Sequence, residues 1–209
     1  MFQRKPLVIG IGGGTGAGKT TIARAITSEL DAGSVAYLQH DAYYRDRPDL
    51  SDEERAQVNY DHPDSLENEL LVDHIDALCR GEAIERPNYD FVQHRRREET
   101  TRVDPSPVVV VEGILLFADI ALNARYDIKI FIDTPADIRV LRRIRRDIEK
   151  RGRSFEDVRR QYYATVRPMH EAFVEPTKYK ADLIVPEGGN TRVAIDLIVR
   201  RIRGEQHQD

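Results

Sequence analysis

The chain of 209 residues has no tryptophan, two methionines and a single cysteine. One cysteine excludes an intramolecular disulfide framework and fits a reducing compartment. Cys79 lies in an apolar-periodic stretch with Leu71, Ile75 and Leu78, where the ordinary role of a cysteine is that of a small buried hydrophobe. No apolar run approaches the roughly 20 residues of a membrane span, and the N-terminus has no long apolar signal region. Excess positive charge is also missing. The net charge of −4 argues against a nucleic-acid binder, which carries a basic balance. Internal repeats and low-complexity linkers are absent. These absences point to a soluble cytoplasmic protein with neither a membrane nor a nucleic acid as partner. With 40% hydrophobic residues an ordinary core can form, and the length suits one domain or a domain with a lid.

What is present is concentrated near the N-terminus. Gly13-Gly14-Thr15-Gly16-Ala17-Gly18-Lys19-Thr20 fits G-x-x-x-x-G-K-[ST], the phosphate-binding loop of nucleotide enzymes. Leu7-Val8-Ile9-Gly10-Ile11 before it reads as a buried strand. Thr21-Ile22-Ala23-Arg24-Ala25-Ile26 after it reads as a helix start. Glycines let successive backbone N–H groups approach a phosphate, and the helix N-terminus adds partial positive charge and unpaired donors. Residues Gly13 to Thr21 are therefore the candidate nucleotide cradle. Lys19 is placed to reach the β- and γ-phosphates, and the Thr20 hydroxyl to ligate Mg²⁺. The loop names a nucleoside triphosphate but not the acceptor of its phosphate.

Apolar runs alternate with helical patterns, which predicts an α/β fold with a mainly parallel sheet. The expected strands are 7–11, 35–39, 108–111, 128–132 and 182–185. The expected helices are 19–30, 52–57, 66–80, 136–150, 155–172 and 191–203. Two segments exceed a plain nucleotide-binding core. Residues 84–103 read as a hairpin inserted between helix and strand, and the arginine-rich stretch 136–176 reads as a helical lid. Both belong near the loop end of the sheet, where open α/β folds bind ligands.

Several constellations carry chemistry. The strand 108–111, four valines, runs into Glu112-Gly113, and a carboxylate at such a strand end helps hold Mg²⁺. Asp41 follows the second strand. There a carboxylate can accept the proton of an attacking hydroxyl, although aspartate is equally common as a cap or turn residue. Tyr60-Asp61-His62-Pro63-Asp64 and Tyr89-Asp90-Phe91-Val92-Gln93-His94 combine groups that could stack a base and bond a sugar, or simply pack and cap. Arg139, Arg142, Arg143, Arg145, Arg146, Lys150, Arg151 and Arg153 form a dense basic run, with Arg139, Arg143 and Arg146 sharing a helical face with Lys150. Like charges at that spacing repel, and Asp147 and Glu149 offset them only partly. Beside a phosphate loop, a bound polyphosphate explains such a run better than a solvated face does.

At this point the chain resembles the uridine-cytidine kinases, within the phosphoribulokinase/uridine kinase group. The resemblance covers about residues 6 to 203. The matching blocks include Q-H-D-A-Y-Y at 39–44, Y-D-H-P-D-S at 60–65, R-P-N-Y-D-F-V-Q-H at 86–94, E-G-I-L at 112–115, F-I-D-T at 131–134 and R-R-I-R-R-D-I-E-K-R-G-R at 142–153. Their order and spacing together are specific. No single block other than the phosphate loop at 13–20 is.

The resemblance implies a three-layer P-loop fold with a mainly parallel five-stranded sheet, an inserted hairpin and a helical lid, all in one kinase domain spanning 1–209. It implies transfer of the γ-phosphate of ATP or GTP, with Mg²⁺, to uridine or cytidine. Asp41 is then the base, assisted by Lys19, Arg146 and Arg151. Asp61 and Gln161 hold the ribose, while Tyr60, Tyr89, Phe91 and His94 surround the pyrimidine. Arg143 and Arg146 meet nucleoside and phosphates, and Arg151 and Arg153 are lid arginines. Thr20 and Glu112 form the Mg²⁺ region. A homotetramer and feedback inhibition by CTP and UTP are implied in the same way. Two positions depart from the usual pattern. Ala17 stands where many members have Ser, and Tyr60 where many have Phe. A neutral imidazole donates from one nitrogen and accepts at the other, so His94 could meet uracil O4 or the cytosine amino group. A sugar-phosphate acceptor fits this aromatic hairpin poorly, and the guanine-recognition motif N-K-x-D of a nucleotide switch is not visible in the chain.

Overall fold

A computed structural model describes residues 5–186 and 191–206. The extremities of the expected 1–209 domain, residues 1–4 and 207–209, lie outside the described residues, as does 187–190. In chain order the elements begin with β1 (Leu7–Gly13), α1 (Lys19–Ser28), β2 (Val35–Gln39), a 3-10 turn (His40–Tyr43), α2 (Asp52–Gln57), a second 3-10 turn (Pro63–Ser65) and α3 (Asn68–Cys79). They continue through β3 (Ile84–Arg86), β4 (Tyr89–Asp90), β5 (Arg95–Arg96), β6 (Thr101–Val103), β7 (Val108–Glu112), α4 (Ile120–Asn123), β8 (Ile128–Asp133) and α5 (Ala136–Arg151). The last part holds α6 (Phe155–Gln161), α7 (Arg167–Met169), β9 (Leu183–Pro186) and α8 (Thr191–Gln206).

Five strands form one parallel sheet in the order β2-β7-β1-β8-β9. Because β1 is central, the loop that follows it emerges in the middle of the carboxyl edge, flanked by the ends of β7 and β8. Both faces of the sheet are covered, so its strands read as continuous apolar runs. The valines of β7 divide by the two-residue period of a strand. Val108 and Val110 pack with Ile22 and Ile26 of α1 and Ile198 and Ile202 of α8. Val109 and Val111 pack on the opposite side with Leu71 and Ile75 of α3 and with Phe117 and Tyr126. These clusters make the outer two interfaces of a three-layer α/β/α arrangement, as the alternating pattern predicts.

The segment 84–103 is a folded-back excursion held by two short antiparallel ladders, β3 with β6 and β4 with β5. At its tip His94 takes φ 53°, a left-handed conformation that costs a non-glycine residue energy. The expected helix over 155–172 is interrupted. After α6 the chain widens into π-helical turns at Tyr162–Val166 and His170–Val174 around the single turn α7. Pro168 supplies the reason for the first of these. It has no N–H to donate to the carbonyl four residues earlier, and its ring crowds the preceding turn.

Helix α5 ends at Gly152, whose N–H bonds back to the Asp147 carbonyl, and Ser154 caps α6 by accepting from the Asp157 N–H at 3.1 Å. Within α5 the buried charged residues are Arg139, Arg143 and Asp147, one turn apart. Along the expected shared face of Arg139, Arg143, Arg146 and Lys150, burial differs from end to end. The first two point inward, whereas Lys150 is exposed.

Glycine is needed at position 12 because the aromatic layer closes directly on β1. A Cβ added to Gly12 would lie 2.6 Å from the fully buried Phe117 ring. Gly12→Ala is expected to cost about 1–3 kcal/mol of unfolding free energy, as overpacking does. The urea midpoint checks this, and Phe117→Leu in the same chain should recover part of the loss. An unchanged midpoint for Gly12→Ala would show that the ring yields without cost.

Candidate active site

Strand register builds one half of the site. Glu112 ends β7 directly beside Gln39, which ends β2, and beside Ile11 of β1. Its carboxylate oxygen Oε1 accepts from the Thr20 hydroxyl at 2.7 Å, the Tyr37 hydroxyl at 2.8 Å and Gln39 Nε2 at 3.2 Å. Tyr37 and Gln39 alternate on one face of β2, which is how both reach the same oxygen. Burial and the adjacent Glu112 charge push the Tyr37 phenol well above its ordinary range, so it stays a donor.

The phosphate loop itself wraps around Lys19. The Lys19 ammonium is buried and donates to the Gly14 carbonyl at 3.1 Å. Burial lowers its pKa, opposed by the Glu112 and Asp41 charges. Gly16, at φ 77°, has no room for a Cβ because the Arg139 backbone carbonyl sits against it. Arg139 braces the loop from behind. Its Nε donates to the Thr134 carbonyl at 2.9 Å, while the Thr134 hydroxyl donates to the Ala17 carbonyl at 3.0 Å. Ala17 is buried in the core, so the departure from serine leaves no unfilled polar position.

In front of the loop lies a cavity of about 830 Å³, lined on one side by Lys19, Thr20, Thr21, Asp41 and Glu112 and on the other by Arg142, Arg146, Lys150 and Arg151. Cations from three separate elements converge here: Lys19 and Arg24 of α1, Arg86 of β3 with the neighbouring Arg97, and the α5 row. Only Asp41 and Glu112 are acidic among the lining residues. Such an excess of cations, with backbone donors at a helix N-terminus, suits a polyphosphate.

A second, narrower space of about 50 Å³ adjoins the first. Around it stand Tyr60, Asp61, Tyr89, Phe91, His94, Arg143, Arg153 and Gln161, residues drawn from the 60–65 turn, the hairpin and the lid helices. Thr15, Asp41, Tyr89, Phe91, Ile114, Arg146 and Arg151 line both spaces. The charged groups at the junction between the two are therefore one carboxylate and two guanidinium groups, beside the Tyr89 and Phe91 rings.

The narrow space is held by a continuous polar network. Arg143 donates to the Thr15 hydroxyl at 3.2 Å and to Gln161 Oε1 at 3.0 Å. Arg153 reaches the same Gln161 oxygen at 2.5 Å and His94 Nε2 at 3.2 Å. Because guanidinium can only donate, His94 Nε2 is the acceptor there and the imidazole proton sits on Nδ1. Asp61 accepts from the Thr165 hydroxyl at 3.0 Å. Burial raises the Asp61 pKa, with Arg143 and the Thr165 hydrogen bond pulling it back. The rings interlock. Tyr60 stacks on His94 at 4.7 Å, Tyr44 meets Tyr60 edge-on and Tyr89 obliquely, and the Arg151 guanidinium lies 4.7 Å from the Phe91 centroid.

Every residue to which the resemblance gave a role thus lies in the loop, at the Glu112 cluster or around the two adjoining spaces, whereas His62 packs on Phe173 and exposed Arg145 pairs with Glu149. Sequence reasoning missed Tyr44, Thr165 and the Tyr37–Gln39 pair. A two-residue alternation along β2 was the available signal for Tyr37 and Gln39. Thr165 had none, because it meets Asp61 only through the π-helical turn that Pro168 imposes.

The Phosphoribulokinase / Uridine kinase family, as a sequence model, matches residues 8–194. The chain is 52% identical to a uridine kinase of Chloroflexus aggregans over 96% of each chain. It is 52% identical to a uridine kinase of Halalkalibacterium halodurans over 96% of this chain and 95% of that one. A uridine kinase of Clostridium perfringens is 49% identical over 96% and 97%, respectively. Among solved structures, the fold is similar to phosphoribulokinase from Rhodobacter sphaeroides, with TM-score 0.61 and 15% identity over 87% of this chain and 70% of that one. It is also similar to D-glycerate 3-kinase from Cryptococcus neoformans, with TM-score 0.59 and 18% identity over 81% and 79%.

His94 yields a test of this geometry. Burial, then the charges of Arg153 and Arg151, lower its pKa to about 4, against about 6.5 when unfolded. The unfolded chain therefore binds the extra proton first. His94's contribution to stability is complete above about pH 6.5 and is lost as pH falls towards about 4. An NMR titration should find His94 neutral at pH 5.5, and His94→Gln should flatten the stability profile across that window. A midpoint near 6.5 would show that the ring is not enclosed by the arginines.

Proposed function

The chain belongs to the phosphoribulokinase/uridine kinase family, and we propose that it is a uridine kinase, moving the γ-phosphate of ATP or GTP to the 5′-hydroxyl of uridine or cytidine to give UMP or CMP. The observation that carries this reading is the shared wall. Asp41, Arg146 and Arg151 line both the cationic cavity before the phosphate loop and the aromatic space beneath the hairpin. A phosphoryl donor in the first and a nucleoside in the second would meet there.

In this reading the nucleoside lies under Tyr89, Phe91 and His94, and the Asp61 carboxylate and Gln161 hold its ribose hydroxyls. At about 50 Å³ the space is well below the few hundred Å³ of a ligand pocket. Entry therefore parts the hairpin from the lid and breaks the Arg153–His94 contact. Asp41 orients the 5′-hydroxyl and accepts its proton as the oxygen attacks. Lys19 exchanges the Gly14 carbonyl for the β- and γ-phosphates, and Arg146 and Arg151 stabilise charge on the transferring group. Arg143 and Arg153 draw the lid over the site, with water excluded as it closes.

The oxygen set of Thr20 and Glu112 fits Mg²⁺, a hard cation that takes few protein ligands and completes its shell with phosphates and water. When bound, the ion would neutralise β/γ charge, and Thr20 and Glu112 would hold it. The three donors on Glu112 Oε1 keep that carboxylate oriented for the task. Both pyrimidine nucleosides are expected as substrates, because the His94 ring offers a donor or an acceptor once Arg153 has moved.

The division of one kinase domain into a nucleoside-binding hairpin (84–103) and a lid (136–176) is part of this reading, as are a homotetramer and inhibition by CTP or UTP. Exposed Leu183 and Ile184 on the edge strand β9, with Val193 and Leu197 on α8, offer apolar area for association. Among the described residues, no helix is long and apolar enough to cross a membrane. A cytoplasmic location accords with the single cysteine, half-buried Cys79.

The test is ADP release with ATP·Mg²⁺ and uridine, cytidine, adenosine or ribulose 5-phosphate, for the wild type and Asp41→Asn. Turnover with the pyrimidine nucleosides is expected to fall on the order of a hundred- to ten-thousand-fold in Asp41→Asn, the range of a lost general base. Turnover with another acceptor alone would leave the phosphate loop standing and overturn the pocket reading. Unchanged activity in Asp41→Asn would remove that residue from catalysis. In competition, cytidine should suppress uridine phosphorylation, and its failure to do so would sink the shared-pocket expectation.

A further inference from the structure

One buried group has no part in the scheme above. The Asp147 carboxylate, 0% exposed, sits on the inward face of α5 among three arginines of the site. Its Oδ1 accepts from Arg146 Nε at 2.9 Å, with Arg146 Nη2 also 2.9 Å away and Arg151 Nη1 at 3.5 Å. Arg143 Nε lies 3.5 Å from its Oδ2. All three arginines line the narrow space, and Arg146 and Arg151 also line the large cavity.

We infer that Asp147 is a positioning residue for phosphoryl transfer: one buried carboxylate sets the directions of Arg143, Arg146 and Arg151 before substrates arrive.

Three considerations carry this. The first is charge. Arg143, Arg146, Arg151 and Arg153 lie close enough for their fields to oppose one another, and burial and Arg146 together push the Arg151 guanidinium down from its ordinary range. Asp61 beside Arg143 and Asp41 near Arg151 offset part of this, but Asp147 is the carboxylate shared by Arg143, Arg146 and Arg151 and lets them stay grouped with no ligand present. The second is geometry. Long arginine side chains lose considerable rotamer freedom when ordered, and ordering them in advance removes that cost from the transition state. A carboxylate within reach of three guanidinium groups does so without touching either substrate. The third is incomplete satisfaction. Arg143 Nε and Asp147 Oδ2 are both buried without a hydrogen bond, although they face each other at 3.5 Å. A shift of a few tenths of an ångström brings them to bonding distance. Substrate closure can make that shift, which would tie arginine order to the closed site.

The inference rests on the uridine kinase reading and predicts opposite changes in two quantities. Asp147→Asn keeps the shape of the side chain, removes a negative charge from an anion site and loosens the three arginines. ATP·Mg²⁺ affinity, measured by calorimetry without nucleoside, should hold or tighten. At the same time kcat with uridine should fall about a hundred-fold, the scale of a misplaced catalytic group. A merely structural role would weaken both together. The second arm is a cycle with Arg151→Gln and Arg146→Gln. With both arginines removed, Asp147→Asn should cost little further kcat. If Asp147→Asn does not fold, Asp147→Glu, which keeps the charge but displaces it by one methylene, is used in the same cycle. An unchanged kcat, a parallel loss of ATP affinity and kcat, or full additivity with the arginine changes would overturn the proposal. Failure of the uridine kinase reading is distinguishable, because then the wild type itself shows no turnover with uridine or cytidine.

Discussion

Like charge brought to one place is the constraint around which this molecule is organised. Lys19, Arg142, Arg143, Arg146, Arg151 and Arg153 share one crevice, and no ordinary surface would hold so many cations together without an anion. A polyphosphate supplies that anion during turnover. Between turnovers the chain supplies its own. Glu112 and Asp41 face Lys19, Asp61 faces Arg143, and Asp147 lies among three guanidinium groups. Three of these carboxylates are placed by regular elements. Glu112 closes β7, Asp41 sits in the 3-10 turn directly after β2, and Asp147 occupies the inward face of a sixteen-residue helix.

The sheet converts this electrostatic arrangement into a precise one. Its central strand delivers the phosphate loop to the middle of the carboxyl edge, and the parallel register sets Glu112 beside Gln39. The same register sends alternate valines of β7 into two separate cores, so the strand that carries Glu112 is anchored on both faces. Arg139 then spans from α5 to the back of the loop, packing the start of that helix against the phosphate loop. The hairpin and the segment after α6 are built differently. Short ladders, aromatic edges and π-helical turns hold them.

How much of this was readable in the chain follows the range of the interactions. The five core strands, the phosphate loop and its helix were legible because their signals are local: apolar period, glycine spacing and flanking elements. The hairpin was visible as an interruption, though not its two ladders, since four strands of two or three residues carry almost no periodicity. The break after Gln161 depended on Pro168 seven residues later, and the periodic pattern alone reads through it. The burial of Arg139 and Arg143 in α5 was not legible because helical spacing says which residues are neighbours and not which of them the fold buries.

From its residues alone the chain declared a parallel α/β core, a nucleotide cradle at 13–21 and, through the order and spacing of its blocks, the kinases it resembles. All of these are carried by neighbours in sequence, whose geometry is dictated by backbone sterics and by the periods of strand and helix. Tertiary structure alone decided that Asp41, Arg146 and Arg151 form the wall between two spaces, that Thr165 meets Asp61 and that Asp147 gathers three arginines. Most of these contacts join elements far apart in the chain. Even those within α5 depend on which face the rest of the fold buries, and no local preference specifies that.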